Sequence, residues 1–532
     1  MLIVDRVVIE DVRLSVWANS PLDAEISPMN PDDQIASIFE DRAPVTTRGA
    51  IDEIVFEGLR RSAIQPARLS SDQVFLRRVY LDVIGTLPSV EEASAFLGES
   101  SPDKRAVLID QLLLRDEFAN YWAMKWSDLL RVKAEFPINL WPMGAQEYYN
   151  WIVAALRKNQ PYDQFARELL TSSGSNFREG SVNLFRAVQG RGPDVIAQAV
   201  ALTFMGTRIE RWPEAQRRDL AAFFSQVAYK PTGEWKEEIV MYDPGKPLPH
   251  AEVAFPDGTR AHLEPGRDPR QVFADWLASP ANPWFARNLV NRIWAWLLGR
   301  GIVHEPDDLR PDNRPALPEL LAFLEKELIT ADYDSKHIFR LILNSSTYQL
   351  SSIPQSDNHD RGKYFACYPV RRLDAEVLID VICQITGSTE QYSSAAPEPY
   401  TIMPAEQRAV SLPDGSVSSS FLELFGRPPR DTGYVSERNN QPSAAQRLHL
   451  LNSTHIERKI EQSPGLQQLL ASATGPEMVV KQLYLSILSR YPTEAELKAI
   501  RAYPNGGGGN RRQAAVDVAW ALMNTSEFVY RH

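Results

Sequence analysis

Residues 79–92, VYLDVIGTLPSVEE, contain the end of one amphipathic helix and the start of the next. Apolar residues three and four positions apart predict that the first helix stops near Gly85, a residue type common just past helix ends. Ser89 followed by Glu92 is a capping-box pattern, which predicts the start of a second helix. This stretch therefore predicts two helices joined by a short turn.

Similar patterns recur along most of the chain and predict a mainly α fold. Apolar residues at helical spacing define the runs, and Ser or Thr caps and first-turn prolines mark where they start. Beyond those between 51 and 130 and one that starts at Pro269, the predicted helical runs are 145–158, 162–171, 193–205, 213–228, 284–298, 315–330, 335–348, 371–386, 443–462, 476–489, 493–502 and 511–525.

Two segments depart from the helical pattern. Residues 1–46 combine β-branched residues with a polar stretch rich in proline, and we interpret them as a strand-prone N-terminal arm. Residues 240–266 alternate apolar and polar positions around a Pro-Asp-Gly turn signal, which predicts a short β-hairpin. We therefore expect two helical domains, 47–239 and 267–532, joined by a β-hairpin linker.

An internal repeat supports a chain built in two parts. The capped helix start at 88–92, which leads to an apolar helix ending near 118, is mirrored at 492–496, which leads to a helix ending near 528. A weaker third copy ends at 343–348. Chance similarity is the alternative, because capping boxes are common at helix starts.

The composition is that of a globular protein with an acidic surface. Of 532 residues, 44% are hydrophobic and 23% are charged, and 57 Lys and Arg against 68 Asp and Glu give a net charge of -11. An acidic average surface repels phosphate backbones, so nucleic acid is not an expected partner. No run of about 18 apolar residues predicts a transmembrane segment. Charges at Asp5, Glu10 and Asp11 interrupt the apolar core that a signal peptide needs.

The chain contains 2 cysteines, Cys367 and Cys383, and no C-x-x-C spacing. Neither a zinc framework nor a disulfide scaffold can be built from them. We expect two buried free thiols, since cysteine often behaves as a small core hydrophobe. A single bridge between the two is the alternative.

The candidate catalytic residues are charged side chains in the second half of the chain. Arg371, Arg372, Asp374 and Glu376 are predicted to open a helix, and Glu437 and Arg438 could complete a charged pocket with them. Such a pocket could hold an anionic group through bidentate arginine contacts. The same residues suit a buried network that organises structure without catalysis, and we favour that interpretation.

The densest group of potential hard-metal ligands is His304, Glu305, Asp307 and Asp308. Oxygen ligands of this kind suit divalent cations when they converge. A proline inside the run prevents a regular helix, so the side chains need not converge, and a solvated acidic loop is the favoured interpretation. We assign no metal and no cofactor-binding residue.

Five motifs carry a family resemblance: VYLDVIGTLP at 79–88, FARNLVNRIW at 285–294, YPVRRLDAE at 368–376, FGRPPR at 425–430 and LHLLN at 448–452. Through them, residues 47–239 resemble the planctomycete cytochrome-associated domain of unknown function. Residues 267–532 resemble its usual C-terminal companion domain. The resemblance implies a bacterial protein of a typically exported family, in the periplasm or cell envelope. Because this chain carries no signal-peptide pattern, its compartment stays open.

The chain departs from the family pattern at two cysteine motifs. Relatives usually carry C-x-x-C-H just after the segment matching Leu202–Glu210, and such a motif can attach a c-type haem or bind a metal. Here Glu210 is followed directly by Arg211-Trp212-Pro213. Relatives also tend to carry C-x-C-E-R where this chain has YVSER at 434–438. The double loss suggests that the two cysteine-bearing segments meet in relatives; independent drift of two surface loops is the alternative.

These observations favour one function and leave a second open. The first is a non-enzymatic structural or interaction subunit of a larger bacterial assembly, free of cofactors, whose partners are other proteins or further copies of the same chain. Abundant aromatic residues suit an interface. The alternative is a redox or hydrolytic enzyme that uses the Arg, Asp and Glu pocket of the C-terminal domain.

Overall fold

The computed structural model describes residues 38–396, 399–503 and 511–532, and within these ranges the protein is mainly helical, as predicted. The helices are α1 (Ala50–Arg61), α2 (Asp72–Val83), α3 (Val90–Gly98), α4 (Lys104–Leu114), α5 (Asp116–Leu129), α6 (Pro142–Arg157), α7 (Tyr162–Thr171), α8 (Pro193–Val200), α9 (Glu214–Ala222), α10 (Pro269–Leu277), α11 (Phe285–Leu298), α12 (Pro318–Thr330), α13 (Ser335–Asn344), α14 (Ser346–Gln349), α15 (Ala375–Thr386), α16 (Ser420–Leu424), α17 (Ala444–Asn452), α18 (Thr454–Glu461), α19 (Pro464–Ser472), α20 (Pro476–Leu488), α21 (Glu494–Ala502), α22 (Arg511–Met523) and α23 (Ser526–Val529).

The strands within the described ranges form small antiparallel sheets. They are β1 (Gly174–Ser175), β2 (Val227–Pro231), β3 (Glu238–Tyr242), β4 (Glu252–Ala254), β5 (Arg260–His262), β6 (Arg371–Arg372) and β7 (Tyr530–Arg531). A three-stranded sheet has the order β1-β3-β2, while β4 pairs with β5 and β6 pairs with β7. The β4–β5 pair is the hairpin expected within residues 240–266, with Val253 opposite Ala261. The strands expected in the N-terminal arm fall mostly outside the described residues.

The described residues form two compact units. The first comprises those up to Leu112 together with Leu343–Glu390 and Asn440–His532, and the second comprises Leu113–Ile342 and Gln391–Asn439. Each unit therefore contains residues from both halves of the chain. The predicted domains 47–239 and 267–532 follow chain order instead, so they stay a prediction about sequence modules.

The two capped helix starts of the internal repeat, at 88–92 and 492–496, lie within the first unit. Ser89 caps α3 and Thr493 caps α21, and both helix starts form complete capping boxes. Just past the preceding helix, Gly85 and Ser489 both adopt left-handed backbone, with φ of 62° and 57° respectively. Equivalent positions thus share caps and a rare backbone conformation, which agrees with a repeated helix-turn-helix unit.

A buried polar network in the core of the first unit joins α2 to residues distant in sequence. Asp82 accepts hydrogen bonds from the hydroxyls of Tyr348 (2.9 Å) and Tyr368 (2.7 Å). The guanidinium of Arg78 lies 3.8 Å from the centre of the Tyr368 ring and donates to the Tyr348 and Leu350 carbonyls at 2.7 and 2.8 Å. Because buried polar groups are costly unless bonded, this network fixes the position of residues 348–350 on α2.

Aromatic residues fill the core of the second unit. Trp122 of α5 lies with its ring centre 5.2 Å from that of Trp296 on α11 and 4.5 Å from that of Phe339 on α13. Trp126, one turn further along α5, packs at 5.2 Å against Phe165 of α7. Both α5 tryptophans are buried. Such ring pairs stabilise the fold by more than the burial of their apolar surface alone would give.

Several predicted helices have different bounds in the structure. The run predicted over 213–228 ends at Ala222, and Val227 begins β2 instead. The helix predicted from Arg371 begins at Ala375, because Arg371 and Arg372 form β6 and pair with Tyr530 and Arg531. This pairing joins residues far apart in sequence, so local periodicity could not predict it.

Two long predicted helices are each broken in two by a serine. Ser345 separates α13 from α14, and its hydroxyl accepts a hydrogen bond from the Tyr348 backbone N–H at 3.1 Å. Ser453 separates α17 from α18 and accepts from the Ile456 N–H at 3.3 Å. A serine side chain that competes for backbone N–H groups favours a new N-cap over continuation of the helix.

Both cysteines, Cys367 and Cys383, are free thiols, as predicted, but each is partly exposed rather than fully buried. In the part of the chain that the structure describes, no helix is both long and apolar enough to cross a bilayer.

We predict that Ser489→Gly raises the free energy of unfolding. A non-glycine residue at φ 57° carries a steric cost of about 1–2 kcal/mol, part of which is returned by the greater entropy of glycine in the unfolded chain. The buried Ser489 hydroxyl also lacks a hydrogen-bond partner among the described residues. We expect a net gain of about 1 kcal/mol in denaturant unfolding. Gly85→Ser is the matched control and should destabilise by a similar amount; no change in either variant would contradict the assignment.

Candidate functional site

Residues 206–212, where the family resemblance implies a first cysteine motif, follow a π-helical turn, Ala201–Met205, that continues α8. Two side chains of α11 bond to this turn: Asn288 donates to the Thr203 carbonyl and Arg292 donates to the Leu202 carbonyl, both at 2.9 Å. Gly206 follows with φ 60°, and a Cβ there would lie 2.5 Å from the Asn288 oxygen. Glycine is therefore required where the chain leaves the turn.

A buried ion pair lies beneath this segment. Arg292 Nη1 and Asp307 Oδ1 are 2.8 Å apart, and neither side chain is exposed to solvent. The second carboxylate oxygen of Asp307 accepts a hydrogen bond from the backbone N–H of Val435 at 2.7 Å. Asp307 therefore links α11 to residues 434–438, where the family resemblance implies a second cysteine motif.

The two segments also touch directly. The Tyr434 hydroxyl lies 3.2 Å from Glu210 Oε1, and the Arg208 guanidinium lies 4.7 Å from the centre of the Tyr434 ring. We call the contact among Arg208, Glu210, Tyr434 and Asp307 the Tyr434 junction. The two segments at which the family resemblance implies cysteine motifs are thus adjacent in the structure of this chain.

The residues of the Tyr434 junction do not fit the haem or metal group that the family resemblance implies. Attachment of a c-type haem needs two thiols and an imidazole, and structural zinc needs thiolate or imidazole ligands. The junction instead presents a phenol, a guanidinium and carboxylates that are already engaged with other protein groups. Glu210, for example, accepts from both Tyr434 and Gln198.

Glu437 and Arg438, the last two predicted pocket residues, are held by neighbours in the second unit. Arg438 Nη2 lies 2.7 Å from Asp128 Oδ2. Glu437 Oε1 accepts from the backbone N–H groups of Asp431 at 2.9 Å and Thr432 at 3.3 Å. Burial raises the pKa of the Glu437 carboxyl. These contacts tie the loop around 431–438 to the end of α5.

The other four predicted pocket residues lie in the first unit and bond within it. The phenol of Tyr368 accepts from Arg371 at 2.7 Å, Arg372 donates to the Asn440 carbonyl at 3.3 Å, and Glu376 is fully buried. Asp374 pairs with Arg531 at 3.1 Å and accepts from the Asn440 side chain at 2.8 Å. Each group is already engaged, so this arrangement organises the fold around the buried Asp82 rather than presenting an anion site.

The four predicted metal candidates do not converge. Asp307 points inward to Arg292, whereas Asp308 pairs with Arg310 at 2.6 Å nearer the surface. His304 and Glu305 are half-exposed, with Nε2 and Oε1 3.9 Å apart. Among the described residues, no group of three or more His, Cys, Asp and Glu side chains has a metal-binding arrangement.

The structure brings together a cluster of titratable side chains that the sequence interpretation missed. His449 Nε2 lies 3.3 Å from His455 Nδ1, and His455 Nε2 lies 2.8 Å from Glu390 Oε2, which Lys459 also contacts at 3.0 Å. Burial and the neighbouring His455 lower the pKa of His449. Burial alone would raise the pKa of Glu390, but its contacts with His455 and Lys459 outweigh it and lower that pKa. His449, His455 and Glu390 are thus linked in series by hydrogen bonds.

This cluster escaped sequence analysis because the two histidines are six positions apart, which is not a helical spacing. The Ser453 cap between α17 and α18 redirects the backbone and brings the two rings together. A signal was present in the sequence, since Ser453-Thr454 followed by an amphipathic run is itself a helix-start pattern.

We predict that Asp307→Ala destabilises the protein strongly, whereas Asp308→Ala does not. Removing one member of a fully buried pair leaves Arg292 charged and uncompensated, which costs about 3–5 kcal/mol. The Asp308–Arg310 pair is partly exposed, and such pairs contribute about 1 kcal/mol or less. Denaturant unfolding of both variants provides the measurement. Equal effects would contradict the assignment of Asp307 as the structural anchor.

Comparisons with known proteins agree with this organisation. Residues 50–228 match the family described as "PSCyt2: Protein of unknown function (DUF1549)", and residues 269–504 match the family described as "PSD1: Protein of unknown function (DUF1553)". Searches of curated proteins and of solved structures each found no match. The two matched regions together cover most of the chain, in the order that the sequence motifs indicated. The protein therefore belongs to the two-domain family that joins an N-terminal DUF1549 domain to a C-terminal DUF1553 domain.

Proposed function

We propose that this protein is a non-enzymatic interaction subunit of a larger bacterial assembly and a cofactor-free relative of its cytochrome-associated family. The observation that carries the proposal is the Tyr434 junction. Where relatives carry thiol pairs, this chain joins the same two segments through Tyr434, Glu210 and the buried Asp307. The scaffold keeps its shape through these contacts without a bound group.

The energetics of the junction support this interpretation. One oxygen of the buried Asp307 carboxylate lies 2.8 Å from Arg292 Nη1 as a charge contact, and the other accepts a hydrogen bond from the Val435 backbone. The Arg208 guanidinium over the Tyr434 ring adds a cation–π contact of about 0.5–2 kcal/mol. In this proposal, side-chain contacts at the Tyr434 junction hold the two segments together, as a metal or haem would do in a relative.

An exposed aromatic surface supports the interaction role. The rings of Trp141, Trp235 and Tyr400 are neighbours in the second unit, with centres 4.6 Å apart for Trp141 and Trp235 and 5.4 Å for Trp141 and Tyr400. Trp235 is 61% exposed and Tyr400 is 47% exposed. Tryptophan and tyrosine are enriched among residues that dominate binding energy at protein interfaces. We call this cluster the Trp235 surface.

In this proposal the chain consists of two sequence modules, 47–239 and 267–532, joined by the hairpin linker 240–266. The β4–β5 hairpin and the two family matches, 50–228 and 269–504, support that division. The acidic surface favours protein partners or further copies of the chain over nucleic acid.

The enzymatic alternative receives less support. A redox or hydrolytic site was expected to use Arg371, Arg372, Asp374 and the Glu437-Arg438 pair. The contacts described above engage those groups with neighbouring residues, so substrate binding would require breaking buried ion pairs.

We predict that the purified protein has no haem absorbance and no stoichiometric metal. The thiol and imidazole ligands that would hold either group are replaced by Tyr434, Glu210 and Arg208 at the junction. Visible absorption spectroscopy and elemental analysis for iron and zinc measure this, after expression in a host with haem maturation and after metal loading. A Soret band or one bound metal ion per chain would show that the cofactor-free proposal is wrong.

We predict that Trp235→Ser weakens association with the native partner or with a second copy. Loss of one exposed tryptophan at an interface centre costs about 2 kcal/mol or more, which is roughly a 30-fold loss of affinity. Light scattering and co-purification from the native source measure association. Val107→Ser removes an apolar side chain that is 52% exposed in the first unit and serves as the control. A monodisperse monomer without a co-purifying protein would contradict the interaction role.

A further inference from the structure

Most of the large apolar side chains that the described part of the second unit exposes lie on or beside the Trp235 surface. They come from three segments that the rings of Trp141, Trp235 and Tyr400 bring together. Besides Trp235 in the β2–β3 turn, Phe136 is 80% exposed in the loop before α6, and Ile402, two positions after Tyr400, is 66% exposed. A concentrated apolar patch of this kind marks an interaction site.

Backbone hydrogen bonds hold the loop of Phe136 beside Trp141. The Trp141 N–H donates to the Ala134 carbonyl at 3.0 Å, and the Leu140 N–H donates to the Lys133 carbonyl at 3.2 Å, so the loop is closed at its base. Phe136 follows Ala134 by two positions, which keeps its backbone within about 7 Å of that closure. The loop therefore extends the apolar patch beyond the three rings.

The turn between β2 and β3 holds Trp235 through local hydrogen bonds. The Thr232 hydroxyl donates to Glu237 Oε2 at 2.6 Å and accepts from the Glu234 N–H at 3.1 Å, and the Glu237 N–H donates to the Glu234 carbonyl at 3.2 Å. Lys236 has left-handed backbone, with φ 66°, which is uncommon for a residue other than glycine. The turn thus presents Trp235 and Lys236 in a fixed geometry, which lowers the entropic cost of binding.

Opposite charges flank the exposed tryptophan. Glu234 precedes Trp235 and Lys236 follows it, and both charged side chains are exposed. Lys236 Nζ lies 5.5 Å from the centre of the Trp235 ring, and neither Glu234 nor Lys236 forms an ion pair with a residue that the structure describes. An apolar centre with a charged rim is the usual arrangement of a protein interface.

The order acid, tryptophan, base is complementary to itself across a two-fold axis. An axis that passes beside Trp235, perpendicular to the turn, reverses the chain direction between two copies. Glu234 of one copy then faces Lys236 of the other, and the same pair forms again on the opposite side of the axis. An anionic lipid surface would instead repel both the Glu234 carboxylate and a chain of net charge -11.

The size of the patch suits a reversible dimer. The exposed parts of Phe136, Trp235 and Tyr400 together offer on the order of 400 Å² of apolar surface. A standard interface buries about 800 Å² on each partner, so the patch can form its apolar centre and the surrounding loops its rim.

From the apolar patch, its flanking opposite charges and its size, we propose that the Trp235 surface is the interface of a symmetric homodimer, in which Glu234 of each copy pairs with Lys236 of the other. This inference rests on the proposed interaction role and names the partner at that surface as a second copy of this chain. The two Trp235 side chains pack against each other at the axis.

The test measures dimerisation of the full chain by sedimentation velocity over a range of concentrations, with an expected Kd on the order of 10 μM. Glu234→Lys places lysine opposite lysine at both rim contacts, and Lys236→Glu places glutamate opposite glutamate. Each variant should dimerise at least about tenfold more weakly. Glu234→Lys also makes the net charge of -11 less negative by two, so repulsion between whole chains falls and net charge alone would predict tighter association.

Mixing the two reversed variants tests the pairing itself. In a mixed dimer of Glu234→Lys with Lys236→Glu, each rim contact again joins lysine to glutamate, so the Kd should return to within about threefold of the wild-type value. Energy transfer between differently labelled chains measures the mixed dimer. A chain that carries both changes should dimerise with itself for the same reason. Glu264→Lys makes the same charge change at an exposed residue after β5, outside the three segments, and should leave the Kd within about threefold of wild type.

The outcomes separate this inference from the proposed function. An equal Kd for wild type and both reversed variants, or no recovery on mixing, would overturn the symmetric pairing. If the wild type stays monomeric at about 100 μM while a different protein co-purifies with it, the homodimer is wrong and the interaction role stands. Binding of monomeric wild type to phosphatidylcholine vesicles, lost in Trp235→Ser, would assign the surface to a membrane and overturn the homodimer. If neither a dimer nor a partner exists, both proposals fail.

Discussion

The compensation of the buried Asp307 charge is the constraint on which the loop structure of the second unit depends. One carboxylate oxygen pairs with Arg292 and the other accepts from the Val435 backbone, with both charged side chains inaccessible to solvent. Arg292 in turn donates to the Leu202 carbonyl. The loops that contain Asp307 and Val435 have no regular backbone hydrogen-bond pattern. Their positions are set by the Asp307 carboxylate, because a buried charge is stable only when its partners are in place. Such a pair specifies geometry more than it adds stability, because the desolvation of both ions offsets most of their attraction.

The first unit uses the same principle with a different residue. Asp82 is buried on α2, and two tyrosine hydroxyls and Arg531 surround it. These partners come from segments more than 250 positions away in sequence, so the charge selects which distant stretches can pack on this helix. The motifs shared with the family, VYLDVIGTLP and YPVRRLDAE, supply members of this network. Their residue types are therefore explained by the interior of the fold before any appeal to catalysis.

Sequence patterns predicted what depends on neighbours along the chain and missed what depends on distant ones. The turn at Gly85, the capping boxes at Ser89 and Thr493 and the β4–β5 hairpin follow from local chemistry, and the structure contains them. The strand at Arg371 follows from pairing with Arg531, and the His449–His455 contact follows from a chain reversal at Ser453. Neither is encoded in a local period. The role of Asp307 was missed for the same reason: its neighbour Asp308 has the same charge, and burial alone separates them.

The repeat explains how one scaffold can hold both a closed and an open helix face. The two copies of the helix-turn-helix unit have equivalent apolar helix faces, on α2 and α20. Each apolar face is either covered by other residues of the chain or exposed to solvent. In the first copy, Arg78 and Asp82 bond to residues 348–350 of the same chain. Without these residues, the buried charged groups would lose their hydrogen-bond partners, which is costly. At the equivalent positions of α20, Gln482 and Ser486 make no such demand, because neither side chain carries a charge. Substitution at two positions of a repeated helix therefore changes what the helix face requires of the residues packed on it.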